Sequence, residues 1–158
     1  MSKTLVAYYS RSGHTQRIAE MLAKRLGADV EAIQDGSQRR GPGGFLRSAV
    51  EALFGMEPEL QPIQHPPKDY DLVLVGTPVW FGHVSSPVRR YLRDHRDEIR
   101  RAAFFCTQGG RSAQHAFTDM GQVLARQPEG TLSLGDWDIE HDGCGPALDG
   151  FAQKLDLH

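Results

Sequence analysis

The sequence predicts an α/β protein built on a parallel sheet with helices on both faces. Three observations predict it: short continuous apolar runs recur along the chain, each run ends in a Gly-, Ser- or Thr-rich turn, and segments with helical apolar spacing separate them. Strands that alternate with helices run parallel, and the crossover helices then cover both sheet faces.

The elements follow in order. Leu5 to Tyr9 reads as a strand buried on both faces and bounded by Ser10-Arg11-Ser12-Gly13. Ile18, Ala19, Leu22 and Leu26 mark a helix that Gly27 is placed to end. Val30 to Ile33 alternates as a half-buried strand. Residues 34–70 form a Gly- and Pro-rich excursion on which Phe45 to Phe54 keeps a helical period, and long loops in compact domains are often functional. Leu72 to Val75 is the next buried strand, and Ser86-Pro87 supplies an N-cap and first-turn proline for a helix showing Val88, Tyr91, Leu92 and His95. Ala102 to Cys106 is a further buried strand. Ser112 caps a helix showing Ala113, Ala116, Phe117, Met120 and Leu124, Thr131 to Leu134 is a weaker strand, and Ala147 or Leu148, Phe151 and Leu155 mark a closing helix.

A length of 158 residues fits one domain with a sizeable core. Eighteen Lys and Arg against twenty Asp and Glu leave a net charge of −2, so no global field favours nucleic acid or an anionic membrane. Residues 129–158 hold seven acids against Lys154, a mild asymmetry. Two cysteines, Cys106 and Cys144, allow neither a disulfide framework nor a four-thiolate zinc site, which fits a reducing cytoplasm. The first apolar segment is too short for a signal sequence or a spanning helix.

Ligands of open α/β sheets bind beyond the carboxyl ends of the strands, where the strand order reverses. Three turns fall there. Ser10-Arg11-Ser12-Gly13-His14-Thr15 joins three hydroxyls to a helix N-terminus, a chemistry that suits a phosphate dianion or simply caps the helix. Arg11 adds charge or points to solvent. The segment Gly76-Thr77-Pro78-Val79-Trp80-Phe81-Gly82 presents two aromatics, for stacking on a flat ring or for packing under the excursion. In Thr107-Gln108-Gly109-Gly110 the glycines let backbone amides approach a ligand. GxGxxG and GxxxxGK are both absent, so neither a dinucleotide fingerprint nor an ATP loop is present. The first strand end also lacks the acidic pair with which a receiver domain holds magnesium.

Together these turns resemble the flavodoxin family. Ser10 to Thr15 matches its [ST]-x-[ST]-G-x-T phosphate loop, and the Thr77–Gly82 and Thr107–Gly110 turns fall where that family places its two flavin-ring loops. The resemblance implies a flavodoxin-like three-layer sandwich, with a five-stranded parallel sheet of order 2-1-3-4-5 and one non-covalent FMN. It places the phosphate on Ser10, Ser12, Gly13, His14 and Thr15, Trp80 against the isoalloxazine, and Gln108 to Gly110 at its pyrimidine edge. No side-chain acid or base is then obligatory, because the redox chemistry is the cofactor's.

Other constellations carry less. Cys106 to Arg111 is one residue short of a phosphatase Cys-x5-Arg loop, and Cys106 reads as a buried strand end. Asp136, Asp138, Glu140 and Asp142 alternate near His141 as a solvated strand edge or loop would. The arginines from Arg89 to Arg101 read as a solvated helix face with ion pairs, or bring Arg89 or Arg90 to an anionic substrate. His83 is either exposed or a proton donor or substrate contact over the flavin edge. The expected function is FMN-linked redox, passing electrons from a nicotinamide or other donor to a quinone-like or other small acceptor, by a monomer or homodimer. The alternative is an electron carrier for redox proteins, from whose usual strong acidity this arginine-rich chain departs. A protoporphyrinogen-oxidising flavoprotein is a third option without a membrane-binding element to support it.

Overall fold

The computed structural model describes residues 3–35, 58–109 and 113–156. Five strands pair in parallel: β1 (Thr4–Tyr8), β2 (Asp29–Ala32), β3 (Leu72–Trp80), β5 (Ala102–Gln108) and β6 (Thr131–Gly135), in the order β2-β1-β3-β5-β6. A two-residue strand, β4 (His83–Val84), folds back antiparallel on the end of β3. Among the described residues the α-helices are α1 (His14–Leu26), α2 (Ser86–Asp94), α3 (Gln114–Leu124), α4 (Asp136–Glu140) and α5 (Gly145–Asp156).

Strand alternation sorts the core into two layers. Leu5, Ala7, Val73, Val75 and Phe104 face Val88, Tyr91 and Leu92 of α2 and Met120 and Leu124 of α3. Val6, Tyr8, Leu72, Leu74 and Phe105 face Ile18, Ala19 and Leu22 of α1 and Leu148, Phe151 and Leu155 of α5. Burying one such large side chain contributes roughly 1.5–3 kcal/mol, so both faces are well anchored. Gly76 is required by this packing, because a Cβ there would lie 2.2 Å from the Phe105 ring. Gly27 ends α1 in the left-handed conformation, φ 61°, as its place in the sequence suggests.

Some boundaries differ from the sequence reading. The strand expected at Leu72 to Val75 runs on to Trp80, because Gly76, Thr77 and Pro78 keep pairing with Phe105, Cys106 and Thr107. Only Phe81 and Gly82 remain as the turn. Ser85, not Ser86, precedes α2, because Thr77 holds both the amide and the hydroxyl of Ser85. Residues 136–140 are a short helix rather than a strand edge. Its Ile139 is buried, and Asp136 and Asp138 in the first turn complement the helix dipole. The expected helix at Phe45 to Phe54, the Ser112 cap and Gly110 lie outside the described residues.

Returning from the excursion, the chain is tied to β2. The buried Glu31 carboxylate accepts the amides of Gln64 and His65, both at 2.7 Å, and Leu60 bridges to Asp35. Among the described residues no helix is long and apolar enough to cross a membrane.

Candidate functional site

From β1 the chain crosses to β2 on one side and returns to β3 on the other, so the order reverses between β1 and β3. The turns leaving β1 and β3 border that switch point, and the end of β5 lies beside β3.

The first turn is organised by backbone. Ser10 Oγ accepts the Gly13 amide at 3.0 Å, and Gly13 begins the helix at φ 100° without a side-chain cap. The amides of the first turn of α1 therefore have no intrahelical acceptor and point past a residue that has no Cβ. Ser12 is exposed beside them. Thr15 is buried, and its hydroxyl meets that of Thr107 at 2.8 Å, joining the β1 turn to the end of β5. One of the two hydroxyls donates to the other, which leaves one hydrogen to offer elsewhere. Arg11 is half-buried.

The His14 side chain is engaged by α4: Nδ1 lies 3.1 Å from Asp136 and Nε2 lies 3.3 Å from Glu140. Arg17 fixes the same contact by donating to the Ile139 carbonyl and to Asp142. Sequence reasoning missed this clasp, since nothing in the 136–142 pattern indicated a helix against α1.

In the second turn Phe81 (φ 53°) and Gly82 (φ 85°) both take the positive φ that a two-residue type I′ hairpin requires. Phe81 is 46% exposed, whereas Trp80 is 7% exposed and packs edge-on against Tyr9 at 5.7 Å. The partly exposed aromatic is thus Phe81, whereas Trp80 is buried. Its position as the last residue of β3 turns Trp80 inward. Thr77 is fully buried, and its hydroxyl bonds Ser85 and the Pro78 carbonyl, which makes it a fastener of the hairpin. Pro78 and Val79 are half-buried.

In the third turn Gln108 donates to Ser133 Oγ at 2.7 Å, while its Oε1 is buried without a hydrogen-bond partner among the described residues. Gly109 is exposed, with Asp136 Oδ2 3.4 Å from the place of a Cβ. Cys106, just beneath, is fully buried, and desolvation pushes its thiol up to about 11, outweighing the hydrogen bond with Ser133. It is a strand-end core residue and not a nucleophile. A separate open cavity lies along α3 and the start of β6, lined by Phe117, Gln122, Arg126 and Thr131, away from all three turns.

No family model matches the chain. Among solved structures, a flavoprotein of Lactobacillus acidophilus in complex with FMN superimposes with a TM-score of 0.73, covering 89% of this chain and 98% of that one at 22% identity. A flavodoxin of Streptococcus pneumoniae superimposes with a TM-score of 0.60, covering 99% of each chain at 14% identity. The chain has the flavodoxin-like fold. Its parallel sheet order is the expected 2-1-3-4-5, with the β4 hairpin strand added. A curated NAD(P)H dehydrogenase (quinone) of Cupriavidus metallidurans is 33% identical over 97 residues, which is 58% of this chain and 46% of that protein. The corresponding protein of Geotalea uraniireducens is 32% identical over 96 residues. The flavodoxin-like chain therefore spans about half the length of the curated relatives it matches.

Proposed function

We propose that this chain binds one FMN at the switch point and acts as an oxidoreductase, passing electrons from a nicotinamide or other donor to a quinone-like or other small acceptor. The observation that carries the reading is the first turn, where amides without intrahelical acceptors open past Gly13 beside the Ser12 hydroxyl. Such a turn suits a phosphate dianion without a metal. Two further features fit FMN. Phe81 offers a partly exposed ring, and the buried, unpartnered Gln108 Oε1 is an acceptor suited to the imide N–H of a flavin pyrimidine. The names of the curated relatives support the nicotinamide-to-quinone direction. Two buried free cysteines fit a reducing cytoplasm.

Bound there, FMN would supply the hydride and electron chemistry. Ser10, Ser12, Gly13, His14 and Thr15 would hold the phosphate, the His14 side chain acting from its clasp with α4. Phe81 would lie against the ring and exclude water from it. Thr77, Trp80 and Thr107 would act from below, by fixing the two turns. The Gln108 and Gly109 turn would meet the pyrimidine edge.

The acidic helix α4, with Trp137 68% exposed, favours the electron-carrier reading as a second possibility, since acids around an apolar contact suit a basic protein partner. FMN titration followed by anaerobic NADH and NADPH separates the two. Bleaching of bound flavin by the nucleotide alone supports the oxidoreductase. Flavin that stays oxidised until a reductase protein is added supports the carrier, and no flavin uptake defeats both.

A further inference from the structure

The β3–β4 hairpin and α3 bring together two histidines and a carboxylate that the FMN site does not use. His83 Nδ1 lies 2.9 Å from Asp119 Oδ2, and the same oxygen accepts the Val84 amide at 3.2 Å. The His115 ring, one turn before Asp119, stacks on the His83 ring at 5.6 Å with 27° between planes. Asp119 therefore fixes the ring by its edge while His115 covers one face. The His83 side chain remains 40% exposed, and its Nε2 has no partner among the described residues. Of the elements packed on β4, α3 brings Asp119 and His115 as its titratable groups, and β3 brings none.

The placement is as informative as the bonds. His83 is the residue after the Phe81-Gly82 turn, directly across the hairpin from Trp80, and its anchor Asp119 stands on the helix into which the Gln108 turn leads. The imidazole thus sits beside the Phe81-Gly82 turn and is held by the helix that follows the third turn. A carboxylate on Nδ1 fixes the tautomer and orientation of an imidazole so that Nε2 can act.

Resting on the function proposed above, we infer that His83 is the proton donor to the acceptor and Asp119 its positioning residue. Reduction of a quinone to a quinol takes a hydride and a proton. The hydride, supplied through the cofactor from the donor, reaches one carbonyl oxygen, and negative charge develops on the other. His83 gives its Nε2 proton to that oxygen: the N–H bond breaks, an O–H bond forms, and the ring is left neutral. Solvent then returns the proton to the exposed ring. Asp119 accepts the Nδ1 hydrogen throughout and holds the ring in place.

The test uses the full chain loaded with FMN, reduced photochemically under anaerobic conditions and mixed with 2-methyl-1,4-naphthoquinone, so that the identity of the physiological donor does not matter. In the parent the reoxidation rate falls as pH rises, as a proton-donating step requires. In His83→Gln it falls on the order of 100-fold and becomes flat with pH. Asp119→Asn slows it but keeps the pH dependence. Binding of 4-nitrophenolate, read by absorbance, gives a second readout. His83→Gln, which still offers a hydrogen bond, holds it within a few fold, while His83→Phe weakens it at least about tenfold. FMN affinity stays at the parent value in every variant. A His83→Gln protein with the parent's rate and pH profile, or a His83→Phe protein with the parent's nitrophenolate affinity, overturns the inference alone. Failure of the parent to take up FMN, or to reduce the quinone once loaded, defeats the underlying reading before any variant is made.

Discussion

Two turns at the same end of the sheet solve the same backbone problem differently. At the exit of β1 the residue with positive φ is Gly13, for which the conformation costs almost nothing, and the turn offers its amides. At the exit of β3 it is Phe81, for which the left-handed region costs about 1–2 kcal/mol, and the turn displays a side chain. Type I′ hairpins ordinarily place Asn or Asp before the glycine. A bulky aromatic there persists only because its surroundings hold it: Thr77 fastens the hairpin to Ser85, and Asp119 binds the amide of Val84. The first turn is preorganised without strain for an anion, whereas the second spends stability to present a ring. Strain of this kind gathers where function needs a particular side chain.

The largest effect should come from breaking the first turn. Replacing Ser12 by Ala and Thr15 by Val removes two hydroxyls, each about 1.5–3 kcal/mol as a hydrogen bond to a charged group. FMN affinity by fluorescence titration should then fall at least a hundredfold, while the flavin-free midpoint in urea moves less. Unchanged affinity would deny the first turn its phosphate. Trp80→Ala should act on the other readout. As a buried aromatic packed on Tyr9 it should lose about 3–5 kcal/mol of folding stability in urea. A variant that kept its stability and lost only FMN would return Trp80 to the ring.

The same contrast explains what the sequence could reveal. The apolar runs 5–9, 72–75 and 102–106 were legible because a strand buried on both faces needs uninterrupted apolar residues. The Ser10 to Thr15 turn was legible because its chemistry is local: hydroxyls, a glycine and a helix start stand side by side. The second turn was not, because whether Trp80 or Phe81 faces outward depends on how far β3 keeps pairing with β5. Trp80 still pairs with His83 across the hairpin, whereas Phe81 already lies in the turn. The α4 clasp on His14 and the Asp119 anchor on His83 were invisible for a related reason. Each joins residues 36 or more positions apart, and no local pattern encodes such a meeting.

Smaller changes should sharpen the contrast. Thr77→Val keeps the shape but leaves the buried Ser85 amide without its acceptor, at about 1–3 kcal/mol. Urea unfolding should record that loss, and hydrogen exchange at Val84 and Ser85 should quicken. Equal stability and unchanged exchange would mean that the hairpin needs no fastener. The corresponding loss at the first turn should be smaller, since no side chain there is held against its backbone preference.

The smallest and most telling change is Phe81→Asn. Asparagine accepts positive φ readily, so the hairpin should relax and the flavin-free protein should gain about 1 kcal/mol in urea. The same substitution removes the exposed ring, so FMN affinity should fall by about fivefold to tenfold, as loss of one aromatic contact of roughly 1 kcal/mol implies. Gains in stability and losses in binding from one residue have opposite signs only if the strain serves the ligand. A variant less stable than the parent would show that Phe81 is held by packing and not strained, and one with full FMN affinity would remove its ring from the site. Either result would make the two turns alike, each shaped by its own fold rather than by what it binds.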